Sequence, residues 1–289
     1  METAGGQGGA SLAAMPQRGP SLMESYVHGY SEREAERLAD QAGAVRDLIH
    51  YDTGYPPGSL VLEAGCGVGA QTVTIAAKSP GARFVSIDIS DESLAAAKAA
   101  VISEQLTNVT FERADVHRLP YSEGAFDHVF VCYLLEHLSD VGGALASLKR
   151  VLKPGGTITV IEGDHGSCYF HPETKAALRA WRCLIEVQAR LGGDSLIGRR
   201  LFPVLVEAGF RDVRVSPRMV YCDRSRPGLV DAFVRKTIIA MVEGVKDKAL
   251  AMGLTDEAAW RQGTSDLNAV ADSPSGTFCY TFFKAVAVR

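Results

Sequence analysis

The chain has 289 residues, 46% of them hydrophobic, which is enough to bury a full core in one large domain or two small ones. A formal net charge of −4 gives no electrostatic reason to bind a polyanion, whose recognition is driven by clustered Lys and Arg, so no nucleic-acid partner is expected. The sequence has no run of about 18 or more apolar residues and no basic-then-apolar leader, so neither a membrane span nor secretion is expected, and the cytoplasm is the expected location.

Residues 1–20, rich in Gly, Ala, Gln and Pro without an apolar period, are expected to form a disordered tail. Ser31 and Glu34 then read as a capping box. Ala35, Leu38, Ala42, Val45 and Ile49 recur at helical spacing, which predicts an amphipathic helix over 31–50 within an N-terminal cap of residues 21–57. Pro56, Pro57 and Gly58 break the chain before the main domain, expected over 58–289.

From residue 59 short apolar runs alternate with helical patterns, the signature of a mostly parallel sheet with helices on both faces. Strands are expected at 59–63, 83–88, 109–113, 126–132 and 157–162, with helices near 70–79, 91–105 and 140–152. Lys153-Pro154-Gly155-Gly156 stops the last of these helices. A helix over 172–191, opened by Pro172 and closed by Gly192-Gly193, reads as an insertion over the site. The segment 196–209 resumes the helix-to-strand pattern into 212–222, and 279–288 supplies a final strand. Between those strands, 227–250 is a second inserted helix, apolar on more than one face through Phe233, Val234, Ile238, Met241, Val242 and Val245. It is either a lid packed on the core or part of a homodimer contact. The fold class is thus α/β, a Rossmann-like, doubly wound, mostly parallel seven-stranded sheet with lid insertions at about 168–195 and 224–275.

The six cysteines lack CxxC pairs and fall largely in apolar runs, which suits buried reduced thiols. His165, Cys168 and His171 have spacings a metal could use, but no fourth ligand follows at zinc-site spacing, and no metal is expected.

Val61-Leu62-Glu63-Ala64-Gly65-Cys66-Gly67-Val68-Gly69 carries the most information. It sets a carboxylate at a strand end directly before a glycine-rich turn of the kind that lets a ligand press on backbone. Asp88 ends the next expected strand at about the offset where an acid meets ribose hydroxyls in βαβ nucleotide sites. The glycine spacing also satisfies a dinucleotide pattern, but Glu63 would repel a pyrophosphate there. A ligand with a positive centre and no phosphate would welcome that charge, and S-adenosylmethionine is such a ligand. Asp88 is open to a second reading as a helix N-cap, a task Ser90 or Asp91 could also perform.

On these residues the chain resembles the class I S-adenosylmethionine-dependent methyltransferases over about residues 59–165, especially the small-molecule branch that includes quinone-biosynthesis enzymes. The resemblance implies that Glu63, Gly65, Gly67 and Gly69 wrap the methionine part of the cofactor and that Asp88 holds both ribose hydroxyls, with Ile89 also expected to contact the cofactor. Asp115, with Val116, in Glu112-Arg113-Ala114-Asp115-Val116 looks like the acid that meets the adenine amino group. The run Phe126 to Leu138, with Cys132, Tyr133 and His137, is similar to the family's fourth-strand motif, and Leu148 to Gly156 to the turn before its fifth strand. Cys132 and His137 are expected beside the cofactor, and Tyr26 and Tyr30 are expected to cover it.

The acceptor side is expected in the loop after strand five, Glu162-Gly163-Asp164-His165-Gly166-Ser167-Cys168-Tyr169-Phe170-His171, because ligands of open α/β sheets lie beyond the strands' carboxyl ends. His165 is the first choice for a general base or acceptor-orienting group; a satisfied loop histidine is the plainer alternative. Tyr133, Cys168, Tyr169, Trp181 and Tyr221 are expected to line the acceptor pocket. Arg199 and Arg200 could bind an acidic acceptor or simply be solvated. The expected activity is methyl transfer to an O, N or S nucleophile of a small molecule, a biosynthetic intermediate or secondary metabolite. Two alternatives stand beside it. An NAD-dependent oxidoreductase leaves Glu63 and Asp115 without a role, and a non-catalytic S-adenosylmethionine-binding protein leaves the acceptor side without one.

Overall fold

A computed structural model describes residues 45–289. The expected tail, the Ser31–Glu34 capping box and the two covering tyrosines, Tyr26 and Tyr30, lie outside the described residues. The chain enters on a helix over 45–50 (α1), whose Val45 and Ile49 are buried.

Seven strands form one sheet: β1 Leu60–Ala64, β2 Arg83–Asp88, β3 Val109–Arg113, β4 Phe126–Cys132, β5 Leu152–His171, β6 Arg211–Asp223 and β7 Thr277–Val288. Their order is β3-β2-β1-β4-β5-β7-β6. The first five are parallel, whereas β7 runs antiparallel between β5 and β6. The central strands are apolar on both sides because both faces are covered. One face carries Phe84, Phe130, Ile161 and Phe282 under α1, α2 (Thr72–Lys78), α5 (Lys175–Arg190) and the later insertion. The other carries Leu62, Val131, Val160 and Ala285 under α4 (Val141–Val151) and α6 (Leu201–Glu207). Helix α3 (Asp91–Ser103) starts at the N-cap Ser90, whose hydroxyl accepts from the Ser93 N–H, with Asp91 and Glu92 favourably placed in its first turn.

Strand five differs from expectation. The segment read as a loop after residue 162 is still strand, because β7 pairs with it out to His171–Thr277. Only residues 165–167 leave the ladder, as a bulge between the Asp164–Thr281 and Cys168–Tyr280 pairs. The Pro154-Gly155-Gly156 turn lies inside the same strand, where β4 passes from pairing with Leu152 to pairing with Thr157.

The second insertion is also more divided than its pattern implies. α7 spans 227–244, and its central segment Val230–Ile239 is π-helical, with the Thr237 hydroxyl donating to the Ala232 carbonyl. Val245 separates it from α8 (Lys246–Ala251), and α9 (Glu257–Asp272) is a further helix the sequence reading did not separate, capped by Asp256. The six apolar residues of α7 and its end, Phe233 to Val245, are all buried within this chain, which resolves their role as packing on the core. Gly263 of α9 faces the Ala176 carbonyl of α5 so closely that a Cβ would lie 2.6 Å from it, which lets the two lid helices pack backbone to backbone. No helix among the described residues is long and apolar enough to cross a membrane.

Phe233 ties the lid to the sheet, with ring contacts to Phe278, Tyr280 and Phe282. Phe233→Ala is expected to cost about 3–5 kcal/mol in urea unfolding, as for other fully buried aromatics, and a loss below 1 kcal/mol would show that the lid does not share the core.

Candidate functional site

The turn after β1 is held by backbone bonds from Gly65 and Cys66 to the Ile87 carbonyl and from Gly69 to the Cys66 carbonyl. Two glycines show why the turn needs them. Gly69 has φ +82° and a Cβ there would lie 2.9 Å from the Ala97 Cα of α3, whereas Gly67, at φ +52°, has open space where its Cβ would be. The first glycine lets helix α3 come close, and the second leaves backbone bare on the side where a ligand would lie.

Glu63 is buried at the end of β1, and its Oε2 accepts from the Thr72 hydroxyl (2.8 Å) and the Ser86 hydroxyl (2.6 Å). Burial pushes its carboxyl up to about 7, against those two hydrogen bonds, and the nearby Asp88 charge adds to the rise. Asp88 bridges two loops: Oδ2 accepts from the Gly67 N–H (2.9 Å) and Oδ1 from the Ser90 N–H (3.0 Å). Since Ser90 is the cap of α3, the N-cap alternative for Asp88 falls away. Asp115 accepts from the backbone and ring of His117, and the Ala114 N–H donates to the Asp88 carbonyl, so the second and third strand ends lie side by side. Ile89 is half-buried in the same loop, its carbonyl accepting from Arg113, while Val116 packs into the core below. Glu63, the glycines, Asp88, Ile89, Asp115 and Val116 are therefore gathered along one edge of the sheet.

At the end of β4, Cys132 is buried and its thiol is held well above its ordinary range by burial. Tyr133 follows with φ +55°, a left-handed conformation that costs energy for an aromatic residue and that recurs at functional sites. Its ring lies 5.5 Å from that of Phe282, and its buried hydroxyl has no hydrogen-bond partner among the described residues. The next turn, Leu135–His137, carries His137, whose Nε2 is 3.7 Å from Glu136 Oε1.

Two residues hold this region: Glu162, expected only as the start of the acceptor-side segment, and Gln188, which carries no expected role. Glu162, fully buried, accepts at Oε1 from the Leu134 N–H (3.1 Å) and the Leu135 N–H (2.7 Å). Burial, reinforced by the neighbouring Glu136, raises its carboxyl well above the usual range. Gln188 of α5 donates to the Glu136 carbonyl and joins the lid to the turn. Glu162 had a signal in the sequence, since it ends an Ile-Thr-Val-Ile run as Glu63 ends Leu-Val-Leu.

The acceptor-side residues are rearranged relative to expectation. His165 is not in an open loop but buried in the β5 bulge. Its Nδ1 is 2.7 Å from the Tyr280 hydroxyl, its ring lies against Trp181, and its carbonyl accepts from the Trp181 indole. Cys168, paired with Tyr280, is buried on the same face. Tyr169 and Tyr221 are not with them. Both pair with Cys279 and so project from the opposite face, where they are 63% and 45% exposed. The aromatic trio Tyr169, Trp181 and Tyr221 thus cannot line one pocket, because alternation along the strands sends Trp181's neighbours one way and the tyrosines the other. Arg199 and Arg200 are bound to Asp164 and Asp194. The six cysteines are free thiols.

Comparison with known proteins agrees with this layout, since residues 62–160 match the family described as a methyltransferase domain. Over those residues the chain is similar to methyltransferase domains. Within the curated relatives, a protein of transposon TN4556 from Streptomyces fradiae is 34% identical over 56% of this chain and 46% of its own length. The demethylmenaquinone methyltransferase of Lactococcus lactis is 33% identical over 37% of this chain and 43% of its own length. The chain therefore spans about half the length of these relatives. Among solved structures, phosphoethanolamine N-methyltransferase 2 of Haemonchus contortus shares the fold, with a TM-score of 0.57 and 17% identity over 93% of this chain and 61% of that one.

The Glu63 carboxyl gives a direct test of this geometry. Between its ordinary value of 4.5 and about 7, the folded chain keeps a proton on Glu63 that the unfolded chain releases, so stability falls as pH rises through that window. Relative to the parent, Glu63→Gln is expected to gain roughly 2–3 kcal/mol between pH 5 and 7.5 in urea titrations. A difference that stays flat across that range would show that Glu63 ionises normally.

Proposed function

We propose that the chain transfers a methyl group from S-adenosyl-L-methionine to an O, N or S nucleophile of a small molecule, a biosynthetic intermediate or secondary metabolite. The observation that carries the reading is the set of acids at successive strand ends, Glu63, Asp88 and Asp115, around a glycine turn with bare backbone at Gly67.

The residues present fit the cofactor. Glu63 offers a carboxylate to a cationic centre, at the price of releasing its proton, and Asp88 offers two oxygens at the height of the glycine turn for a ribose diol. Ile89, Asp115 and Val116 would take the adenine, with Cys132 and His137 beside it, and Gly65, Gly67 and Gly69 would shape the backbone around the methionine part. When bound, the cofactor supplies an electrophilic methyl carbon on a positively charged sulfur. Displacement there releases a neutral group, so the chain's contribution is position and exclusion of water more than proton transfer. Tyr133, strained and facing Phe282, borders the space an acceptor would enter. His165 serves as an orienting group through Tyr280 rather than as an exposed base, given its burial in the bulge. Tyr26 and Tyr30 keep their covering role on sequence position alone. A small molecule suits an acceptor space roofed by packed lid helices, the negative net charge disfavours nucleic acid, and the cytoplasm is the compartment we assign.

In calorimetric titration with S-adenosylhomocysteine, Asp88→Ala is expected to weaken binding by at least about tenfold, the value of one or two charge-assisted hydrogen bonds. Unchanged affinity would remove the ribose role. Titration with NAD runs alongside: uptake of NAD without S-adenosylhomocysteine would favour the oxidoreductase alternative. Methylated product from any acceptor would exclude the non-catalytic one.

A further inference from the structure

Arg218 of β6 lies opposite Phe282 of β7, so both side chains rise from the same face of the sheet, and Phe282 in turn pairs with Gly163 and touches Tyr133. This puts a guanidinium near the level of the carboxyl end of β4 and beside the middle of β5, two strands along from it. Its side chain is only 5% exposed. Nη2 donates to Asp52 Oδ2 (2.7 Å), but Nε and Nη1, both buried, have no partner among the described residues. The Tyr51 ring covers the guanidinium at 4.3 Å. A second buried cation, Lys284, draws on the same acid, donating to Asp52 Oδ1 (2.7 Å) and to the Thr53 hydroxyl (2.6 Å). Among the described residues Asp52 is the one carboxylate bonded to this pair.

A guanidinium does not lose its proton in a protein, and buried donors left unmade are costly. Two cations sharing one carboxylate leave the site short of negative charge, and the free donors mark where that charge would sit. Asp52 is 42% exposed, so the cluster is open to solvent on its side.

We propose that Arg218 is an anion-binding residue of the acceptor site, and that the methyl acceptor carries a carboxylate or phosphate group which takes the unoccupied guanidinium nitrogens. The placement rests on the methyl-transfer reading, because that reading puts the acceptor at the end of β4 and along the 162–171 segment of β5.

The test uses the full chain saturated with S-adenosylhomocysteine at constant ionic strength in chloride, titrated calorimetrically with inorganic phosphate and, separately, with acetate. The parent should bind at least one of them saturably, and which one tells phosphate from carboxylate. Arg218→Gln should lose that binding by at least about tenfold, as for removal of a charge-assisted hydrogen bond, while keeping its affinity for S-adenosylhomocysteine. Asp52→Asn removes the competing acid and should bind the same anion several-fold more tightly, an outcome a purely structural ion pair would not give. The inference is overturned if neither anion binds the parent, if Arg218→Gln binds as well as the parent, or if Asp52→Asn binds the anion no better. Retained S-adenosylhomocysteine binding without an anion response rejects this site alone, whereas failure of the parent to bind S-adenosylhomocysteine rejects the methyl-transfer reading.

Discussion

The carboxyl edge of the sheet is organised by acids that end strands and accept hydrogen bonds from the loops that follow. Asp88 fastens the glycine turn to the start of α3, Glu162 fastens the turn after β4, and Asp164 fastens the bulge of β5 and Arg199. For Asp88 and Glu162 a backbone N–H that leaves the ladder meets a carboxylate on a neighbouring strand, and for Asp164 the N–H comes from the bulge of its own strand. Irregular backbone can then be buried at the edge without orphaned donors, and the turns are held rigid where a ligand would touch them.

That arrangement has an electrostatic consequence. Glu63 and Glu162 are both removed from water, with hydroxyl or amide donors but no cation bonded to either among the described residues. Both carboxyls are therefore pushed upward, chiefly by burial. The two differ in what they can do about it. Oε1 of Glu162 is committed to the turn it supports, whereas both hydroxyls on Glu63 fall on a single oxygen beside the bare backbone of Gly67. A cationic ligand at that turn would favour the ionised form of Glu63, so binding there would be coupled to release of its proton.

Much of this was legible in the sequence because it is local. β2, β3 and β4 begin and end where their apolar runs do, and the acids at their ends follow from the same runs. The misreadings all concern the antiparallel half. The length of β5 depends on β7, a partner more than a hundred residues away, and no period within 152–171 announces it. The three-residue bulge at 165–167 then shifts the alternation, which is why His165 and Cys168 both turn inward to Tyr280 while Tyr169 turns outward. Lys284 and Arg218 interrupt apolar strands and could have been noticed as charges that need a reason. Their shared acid, Asp52, lies far away in sequence, so the cluster itself was not readable.

The antiparallel half also sets how the acceptor region is built. β5, β7 and β6 extend past the parallel strands, and their inner face carries Phe278, Tyr280 and Phe282 as a floor for Phe233 of α7 and Trp181 of α5. Because α9 packs on α5 at the close approach of Gly263, the lid is one body with that floor and not a flap hinged over it. Asp52 and Thr53, which follow α1, are tied to the same floor through Arg218 and Lys284. An anion that competed with Asp52 for Arg218 would loosen that tie, so acceptor binding and the anchoring of the Asp52–Thr53 turn would draw on the same guanidinium.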